Sequence, residues 1–278
     1  MKISVASGKG GTGKTLVATN LASVGDDPLL VDLDVEEPND FHFFAGEVID
    51  EQPAYRMLPA IDESLCDRCG KCAEICEFRS IAVLPNKVLV FPELCHACGA
   101  CILLCPKKAI SETDHPIGKI VRMSNGEREL IFGELAVGEA MATPLIRQVK
   151  SKIPSNTNAI IDCPPGISCP AVESVLGSDF CVLVTEPTKF GLHDLDLAVR
   201  MLRKIEVQSG VVINKYGIPG IDIESYCRDN SLRIIGKIPF DRKIAEKYAN
   251  GELVTDERKY LPFFESILDN IKEAMGAT

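Results

Sequence analysis

Residues 8–15 read Gly8-Lys9-Gly10-Gly11-Thr12-Gly13-Lys14-Thr15. The run fits G-x-x-x-x-G-K-[ST]. It follows a short apolar stretch, Ile3 to Ala6, and opens a helical pattern from about Lys14 to Val24. Strand, glycine-rich turn and helix in that order is the context the motif requires. The glycines let backbone N–H groups turn toward an anion, and the helix start adds the positive end of its dipole. Gly8, Gly10, Gly11, Thr12 and Gly13 are therefore expected to cradle phosphates. Lys14 reaches the outer phosphates, and the Thr15 hydroxyl holds Mg²⁺.

Outward from this loop the chain alternates. Apolar strand patterns occur at Leu29–Asp32 and, later, at Asn158–Asp162, Phe180–Val184, Gly210–Asn214 and Leu232–Gly236. Amphipathic helices lie between them, one carrying Leu195, Val199 and Leu202 on a single face. Such alternation predicts an α/β fold, a mostly parallel sheet with helices on both faces. The 278 residues suit one large domain, or one that carries a small second one. With 46% hydrophobic and 25% charged residues, disordered and collagen-like chains are excluded. No apolar run approaches the roughly 18 residues of a membrane span. Met1 to Val5 enters a strand with no signal-peptide core before it, so a cytoplasmic address is expected. A net charge of −10 argues against a nucleic-acid partner.

The cysteines depart from the average. Of twelve, eight lie between Cys66 and Cys105. They form C-x₂-C-x₂-C-x₃-C twice: Cys66, Cys69, Cys72, Cys76 and then Cys95, Cys98, Cys101, Cys105. A shift of 29 residues maps one half on the other, carrying Gly70 to Gly99 and Ile81 to Ile110 as well. In a reducing compartment thiolates so spaced read as metal ligands. Paired C-x₂-C also suits zinc, but two matched quartets are the run of a two-cluster iron–sulfur module. The block interrupts the α/β pattern, which predicts an insert at 62–112 within a discontinuous domain of 1–61 and 113–278. A short connector, Phe41 to Ile61, is expected to lead into it.

The lysine just after the first glycine makes the phosphate loop resemble that of the MinD/ParA/Mrp P-loop ATPases, which include nitrogenase reductase. The resemblance covers about 220 residues, everything but the insert. It implies that Lys9 crosses a homodimer interface to the partner's nucleotide and neutralises transition-state charge there, as an arginine finger does. Val31-Asp32-Leu33-Asp34 resembles the family's first switch, implying that Asp34 orients the attacking water, with a lesser role for Asp32. Ile160-Ile161-Asp162-Cys163-Pro164-Pro165-Gly166 resembles its Walker B and second switch, making Asp162 the carboxylate behind Mg²⁺. Asn214 resembles the base-reading asparagine, and Pro239 and Asp241 match the segment lining the base. The implied nucleotide is ATP, since no GTPase pattern is visible.

The cysteine block resembles bacterial ferredoxins, which implies two [4Fe-4S] clusters. Cys66, Cys69, Cys72 and Cys105 would hold one, and Cys95, Cys98, Cys101 and Cys76 the other. Cys105-Pro106 keeps the expected proline, whereas Glu77 replaces it in the first half. Together the two resemblances imply an ATP-hydrolysing iron–sulfur protein that forms an ATP-dependent homodimer and serves a redox or iron–sulfur partner. The leading expectation is nucleotide-gated electron transfer. A cluster scaffold or carrier, and a redox-sensing regulatory or positioning ATPase, are the alternatives. Cys169, seven residues after Asp162, lacks the second cysteine that a cluster shared between subunits needs. Cys163, Cys181 and Cys227 read as small buried hydrophobes. At the C-terminus Leu261, Phe264, Leu268, Ile271 and Met275 form a stripe. Its polar face carries Glu265, Asp269 and Glu273 against Lys272, which suits a core helix and not a membrane anchor.

Overall fold

The computed structural model describes residues 1–26 and 28–276. The chain opens with strand β1 (Lys2–Ala6), helix α1 (Lys14–Val24), β2 (Leu29–Asp32) and a long β3 (Glu47–Ile61). The cysteine block holds α2 (Lys71–Ile75), β4 (Ile81–Val83), β5 (Val88–Val90) and α3 (Ala100–Leu103). A long β6 (Ile110–Ser124), β7 (Glu129–Leu135), α4 (Thr143–Ser151), β8 (Ala159–Asp162) and α5 (Cys169–Val175) follow. Then come β9 (Phe180–Thr185), α6 (Lys189–Lys204), β10 (Ser209–Tyr216) and α7 (Ile223–Asp229). The chain closes with β11 (Arg233–Pro239), α8 (Arg242–Ala249) and α9 (Leu261–Gly276).

One nine-stranded sheet runs β11-β10-β9-β1-β8-β2-β7-β6-β3. From β11 to β7 neighbouring strands run parallel, as the alternating pattern predicts. Val182 and Val184 of β9 join the core formed by α1 and α9, while Cys181 and Leu183, which alternate with them, are equally buried. Successive side chains of a strand point to opposite faces, so both faces of the central sheet are covered. Helix α1 is buried along nearly its whole circumference, from Lys14 to Ala22, which explains its lack of a polar stripe. Thr188 caps α6 by accepting Gly191 N–H at 2.9 Å, and Leu195, Ala198, Val199 and Leu202 form its buried stripe. Helix α9 packs on β11 and α1. It buries Phe264, Ile267, Leu268, Ile271 and Ala274, so it is the core helix its polar face suggests. Among the described residues no helix is long and apolar enough to cross a membrane.

Two expectations need correction. The connector at 41–61 is mostly β3, whose residues 47–53 are all exposed; with no buried face, that half carries no apolar alternation to read. Residues 110–135 are also not a strand–helix alternation. They form a hairpin of β6 and β7 whose turn is fixed by Asn125 Oδ1, which accepts the N–H groups of Glu127 and Arg128.

The chain divides into two compact units. One comprises Met1–Gln52, Ile120–Glu134 and Ile146–Thr278, the other Pro53–Lys119 and Leu135–Leu145. The second is wider than residues 62–112, because the long strands β3 and β6 each contribute residues to both units and 135–145 joins it.

Within the second unit the sequence repeat is a backbone repeat. Arg68 and Ala97 share left-handed φ values of 59° and 52°, Gly70 and Gly99 of 83° and 74°, Arg79 and Lys108 of 51° and 50°. Phe91 N–H donates to Ser80 O at 2.8 Å, and the equivalent Asp62 N–H donates to Ala109 O at 2.8 Å. Arg56, with a side chain only 2% exposed, ties the unit together. Its guanidinium donates to the carbonyls of Cys95 (2.6 Å) and Pro92 (3.0 Å) and to Glu139 Oε2 (3.1 Å).

Candidate functional site

In the first unit the carboxyl ends of the central strands meet the start of α1. Gly11 and Gly13 take φ of 78° and 97°, a region closed to most side chains. A Cβ at Gly13 would also lie 2.3 Å from Asn214 Nδ2. The loop therefore lies bare at an open cavity of about 340 Å³, of a size that suits a small cofactor. Gly10, Gly11, Gly13, Lys14, Thr15 and Asp34 line it, as do Asn214, Pro239 and Asp241.

Not every residue of the predicted set points there. Gly8 packs its backbone against Asp194, where a Cβ would meet Asp194 O at 2.1 Å. The Thr12 carbonyl accepts Asn214 Nδ2–H at 2.8 Å, and the Thr12 hydroxyl is buried without a partner. Asp32 does not line the cavity. Its two oxygens accept the backbone N–H groups of Asp34, Asn39 and Asp40 at 2.9, 2.8 and 3.1 Å, so it organises the loop that presents Asp34. Asp241 lines the cavity but caps α8 through Lys243 N–H and also accepts from Lys259 and Tyr260. Lys259 first, and then Tyr260, hold its carboxyl well below the usual carboxylate range. Lys9 turns away, toward Glu186.

Behind the loop lies a nest of carboxylates. Thr15 Oγ1–H donates to Asp162 Oδ2 at 2.6 Å, leaving Asp162 Oδ1 buried without a partner. Asp40 is fully buried, and neither of its oxygens is satisfied. Burial, then the Asp162 charge, pushes Asp32 up to about 7. Burial raises Asp34 to about 6, with Lys14 opposing and Asp162 adding. Burial and then Asp32 lift Asp40 well above its ordinary value. Unsatisfied buried carboxylate oxygens carry a cost of about 1–3 kcal/mol or more each. Orphaned oxygens beside a threonine hydroxyl and a bare glycine loop fit a phosphate accompanied by a divalent cation. Asp40 escaped the sequence reading. Its inward placement comes from the fold, with its backbone N–H donating to Asp32 Oδ2 at 3.1 Å. Tyr248 of α8, Phe240 and Lys215 also line the cavity and carried no signal in the sequence.

In the second unit the eight cysteines line two cavities. Cys76, Cys95, Cys98 and Cys101 share one, and Cys66, Cys69, Cys72 and Cys105 share the other. None is in a disulfide. The fourth cysteine of each half thus crosses to the other half's cavity. Among the described residues no three His, Cys, Asp or Glu side chains converge on the point of a single metal ion. Four thiols around each cavity are the donor chemistry of a cubane cluster, where each sulfur meets a different iron. Phe78 and His96 stack at 3.6 Å beside the first cavity. Cys163, Cys181 and Cys227 are buried, and burial pushes the Cys181 thiol up to about 12. Cys169 is exposed at the start of α5.

A glycine-rich loop between a parallel strand and a buried helix, facing Thr15 and Asp162, defines a P-loop nucleotide-binding protein. The chain belongs to the family described as the CobQ/CobB/MinD/ParA nucleotide binding domain, whose model matches residues 3–254. It is 33% identical over 282 residues to the uncharacterized protein MJ0578 of Methanocaldococcus jannaschii, covering 98% of this chain and 97% of that one. Among solved structures it resembles the cell division ATPase MinD of Pyrococcus furiosus, at 20% identity, TM-score 0.58 and 98% of both chains. It also resembles the septum site-determining protein MinD of Pyrococcus horikoshii complexed with Mg-ADP, at 19% identity and TM-score 0.59, over 99% of this chain and 97% of that one. These two likenesses are of fold.

Proposed function

We propose that this chain is an ATP-hydrolysing regulatory switch of the MinD/ParA kind, working as a nucleotide-dependent homodimer, and that its cysteine unit carries two [4Fe-4S] clusters through which it senses redox state. The observation that carries the nucleotide half is the conjunction of the bare loop at Gly10–Thr15 with the Thr15–Asp162 contact and the unsatisfied Asp162 and Asp40 oxygens. A magnesium ion bound with ATP would supply charge neutralisation at the phosphates. Lys14 adds a fixed positive charge to the same place. Asp34, with a pKa near 6, is mostly ionised at pH 7 and accepts a hydrogen bond from the attacking water. Asp32 holds the backbone on which Asp34 rides. Lys9 acts on the nucleotide of a second copy once it leaves Glu186. The family membership and the likeness in fold to a MinD complexed with Mg-ADP support this reading.

The two cysteine-lined cavities support the cluster half. They equally favour a second reading, nucleotide-gated electron transfer to a partner protein, since two complete quartets suit a conduit as well as a sensor. One experiment separates them. The anaerobically reconstituted protein is assayed for ATP turnover and dimerisation in its oxidised and dithionite-reduced states, and its cluster signals are followed by electron paramagnetic resonance with ADP and with a non-hydrolysable ATP analogue. A sensor changes turnover or dimerisation on reduction. A gated conduit shifts its cluster signals with nucleotide while turnover ignores redox state. Absence of nucleotide binding would refute both.

A further inference from the structure

The 29-residue repeat lets each residue of one half be compared with its counterpart, and one difference falls directly on a ligand sulfur. Cys76 corresponds to Cys105, and Ser80 to Ala109. In both halves the backbone N–H four residues after the cysteine points at its sulfur. Ser80 N–H lies 3.3 Å from Cys76 Sγ, and Ala109 N–H lies 3.3 Å from Cys105 Sγ. Only the first half adds a side-chain contact: Ser80 Oγ is 3.1 Å from Cys76 Sγ. Ser80 is 2% exposed, so water does not compete for this hydroxyl. A thiolate bound to iron has no proton to give, so Ser80 is then the donor.

Because the fourth cysteine crosses over, Cys76 and its extra donor belong to the cavity of Cys95, Cys98 and Cys101. Arg56 touches the same cavity through the Cys95 carbonyl, but Glu139 balances its charge at 3.1 Å. Ser80 meets the sulfur directly, and the opposing charge at this cavity is Glu112, which also lines it. From these contacts, and resting on the cluster reading above, we infer that the two clusters are electronically unequal. Ser80 makes the cluster of Cys76, Cys95, Cys98 and Cys101 the more easily reduced. A [4Fe-4S] cluster held by these cysteines would take one electron from the reductant, and part of the added charge would fall on the ligand sulfurs. A hydroxyl dipole aimed at one of them stabilises the reduced form. Burial of Cys95, at 7% exposure, works in the opposite direction by removing water from the charge. The lining charges oppose the Ser80 effect too, with Glu112 at this cavity and Arg68, Lys71 and Lys107 against Asp67 at the other. The inference is that the Ser80 hydrogen bond, made to a ligand sulfur itself, outweighs both.

The test is a potentiometric titration of the full chain, reconstituted anaerobically with iron and sulfide, reduced with dithionite and monitored by electron paramagnetic resonance. Wild type is expected to show two resolved one-electron steps. Ser80→Ala lowers the upper step toward the lower and leaves the lower in place. Ala109→Ser, which adds the missing hydroxyl to the other half, raises the lower step. If Ser80→Ala does not take up clusters, Ala109→Ser decides alone. Coincident steps in wild type, or steps unmoved in the variants that load, would overturn the inference. A wild-type chain that takes up no cubane clusters would instead refute the cluster reading beneath it, visible as missing iron and acid-labile sulfide before any titration begins.

Discussion

Glu186 grips two lysines at once: its Oε1 accepts Lys9 Nζ and its Oε2 accepts Lys215 Nζ, each at 2.7 Å. The carboxylate side chain is 10% exposed, against 30% for Lys9 and 38% for Lys215. It thereby joins the beginning of the phosphate loop to the end of β10, beside Asn214. A lysine so engaged is not available to a nucleotide held by a second copy of the chain.

Glu186→Gln keeps the shape and removes the charge. With Lys9 freed, the ATP-dependent dimer is expected at several-fold lower ATP concentration, corresponding to about 1 kcal/mol per loosened contact. Lys9→Ala should retain nucleotide binding while turnover drops on the order of 10³-fold, the scale of a missing arginine finger. Sedimentation with ATP and phosphate release measure the two effects. If Glu186→Gln dimerises like wild type, the contact is a surface ion pair and not a latch.

Thr15→Ala removes the hydroxyl that meets Asp162 Oδ2 at 2.6 Å. A hydrogen bond to a charged group contributes about 1.5–3 kcal/mol, so Mg-ADP affinity should fall about 10- to 100-fold. The loss should vanish when EDTA replaces magnesium. Calorimetric titration in both conditions checks this; equal losses with and without magnesium would mean that Thr15 serves the loop and not the cation.

The pH dependence of stability follows from the raised carboxyls. Burial lifts the folded-state values of Asp34 to about 6 and Asp32 to about 7, above the unfolded value near 4. Folding therefore takes up protons between these values. The contribution from these groups is fully present below about pH 4 and is lost as pH rises through 6 and 7. Without nucleotide or magnesium, the melting temperature of wild type should fall between pH 5.5 and 8 more steeply than that of Asp34→Asn. Parallel curves would contradict the assignment.

Arg56→Ala removes the guanidinium from the buried Glu139 side chain, leaving it the Met141 N–H at 3.0 Å and His115 at 3.8 Å, and frees the Cys95 and Pro92 carbonyls. Removing one partner of a buried pair costs about 3–5 kcal/mol. The pair Arg56→Met with Glu139→Gln should recover much of that loss. Limited proteolysis of residues 53–119, compared with the rest of the chain, reads out where the damage falls.

The sequence was informative wherever chemistry needs a fixed spacing. The loop at Gly8–Thr15, the strand ending at Asp162 and the cysteine repeat are legible because each demands particular residues at particular intervals. The central strands are legible because burial on both faces makes them continuously apolar, as in Phe180–Thr185. Strand β3 was not, since Glu47–Pro53 bury nothing. Asp40 and Glu186 were also not legible as site residues. Their roles depend on which distant side chains the fold brings near, Asp162 for one and Lys9 for the other, and no local pattern encodes that meeting. Asp32 looked like a ligand beside Asp34, yet three backbone N–H groups claim it first.

Strand β3 forms one margin of the nine-stranded sheet, and its exposed half carries Val48 and Ile49 at 56% and 55% exposure. An open margin of that kind is a template on which another polypeptide can extend the sheet. Here Glu47, Asp50 and Glu51 surround the two aliphatic residues, and Pro53 offers no amide hydrogen to a newcomer. A second margin approaching in register would bring like charges together. That repulsion weakens once added salt shortens its reach below about 10 Å. Added salt is therefore expected to favour association of concentrated samples through this margin, and Glu47, Asp50 and Glu51 to oppose it.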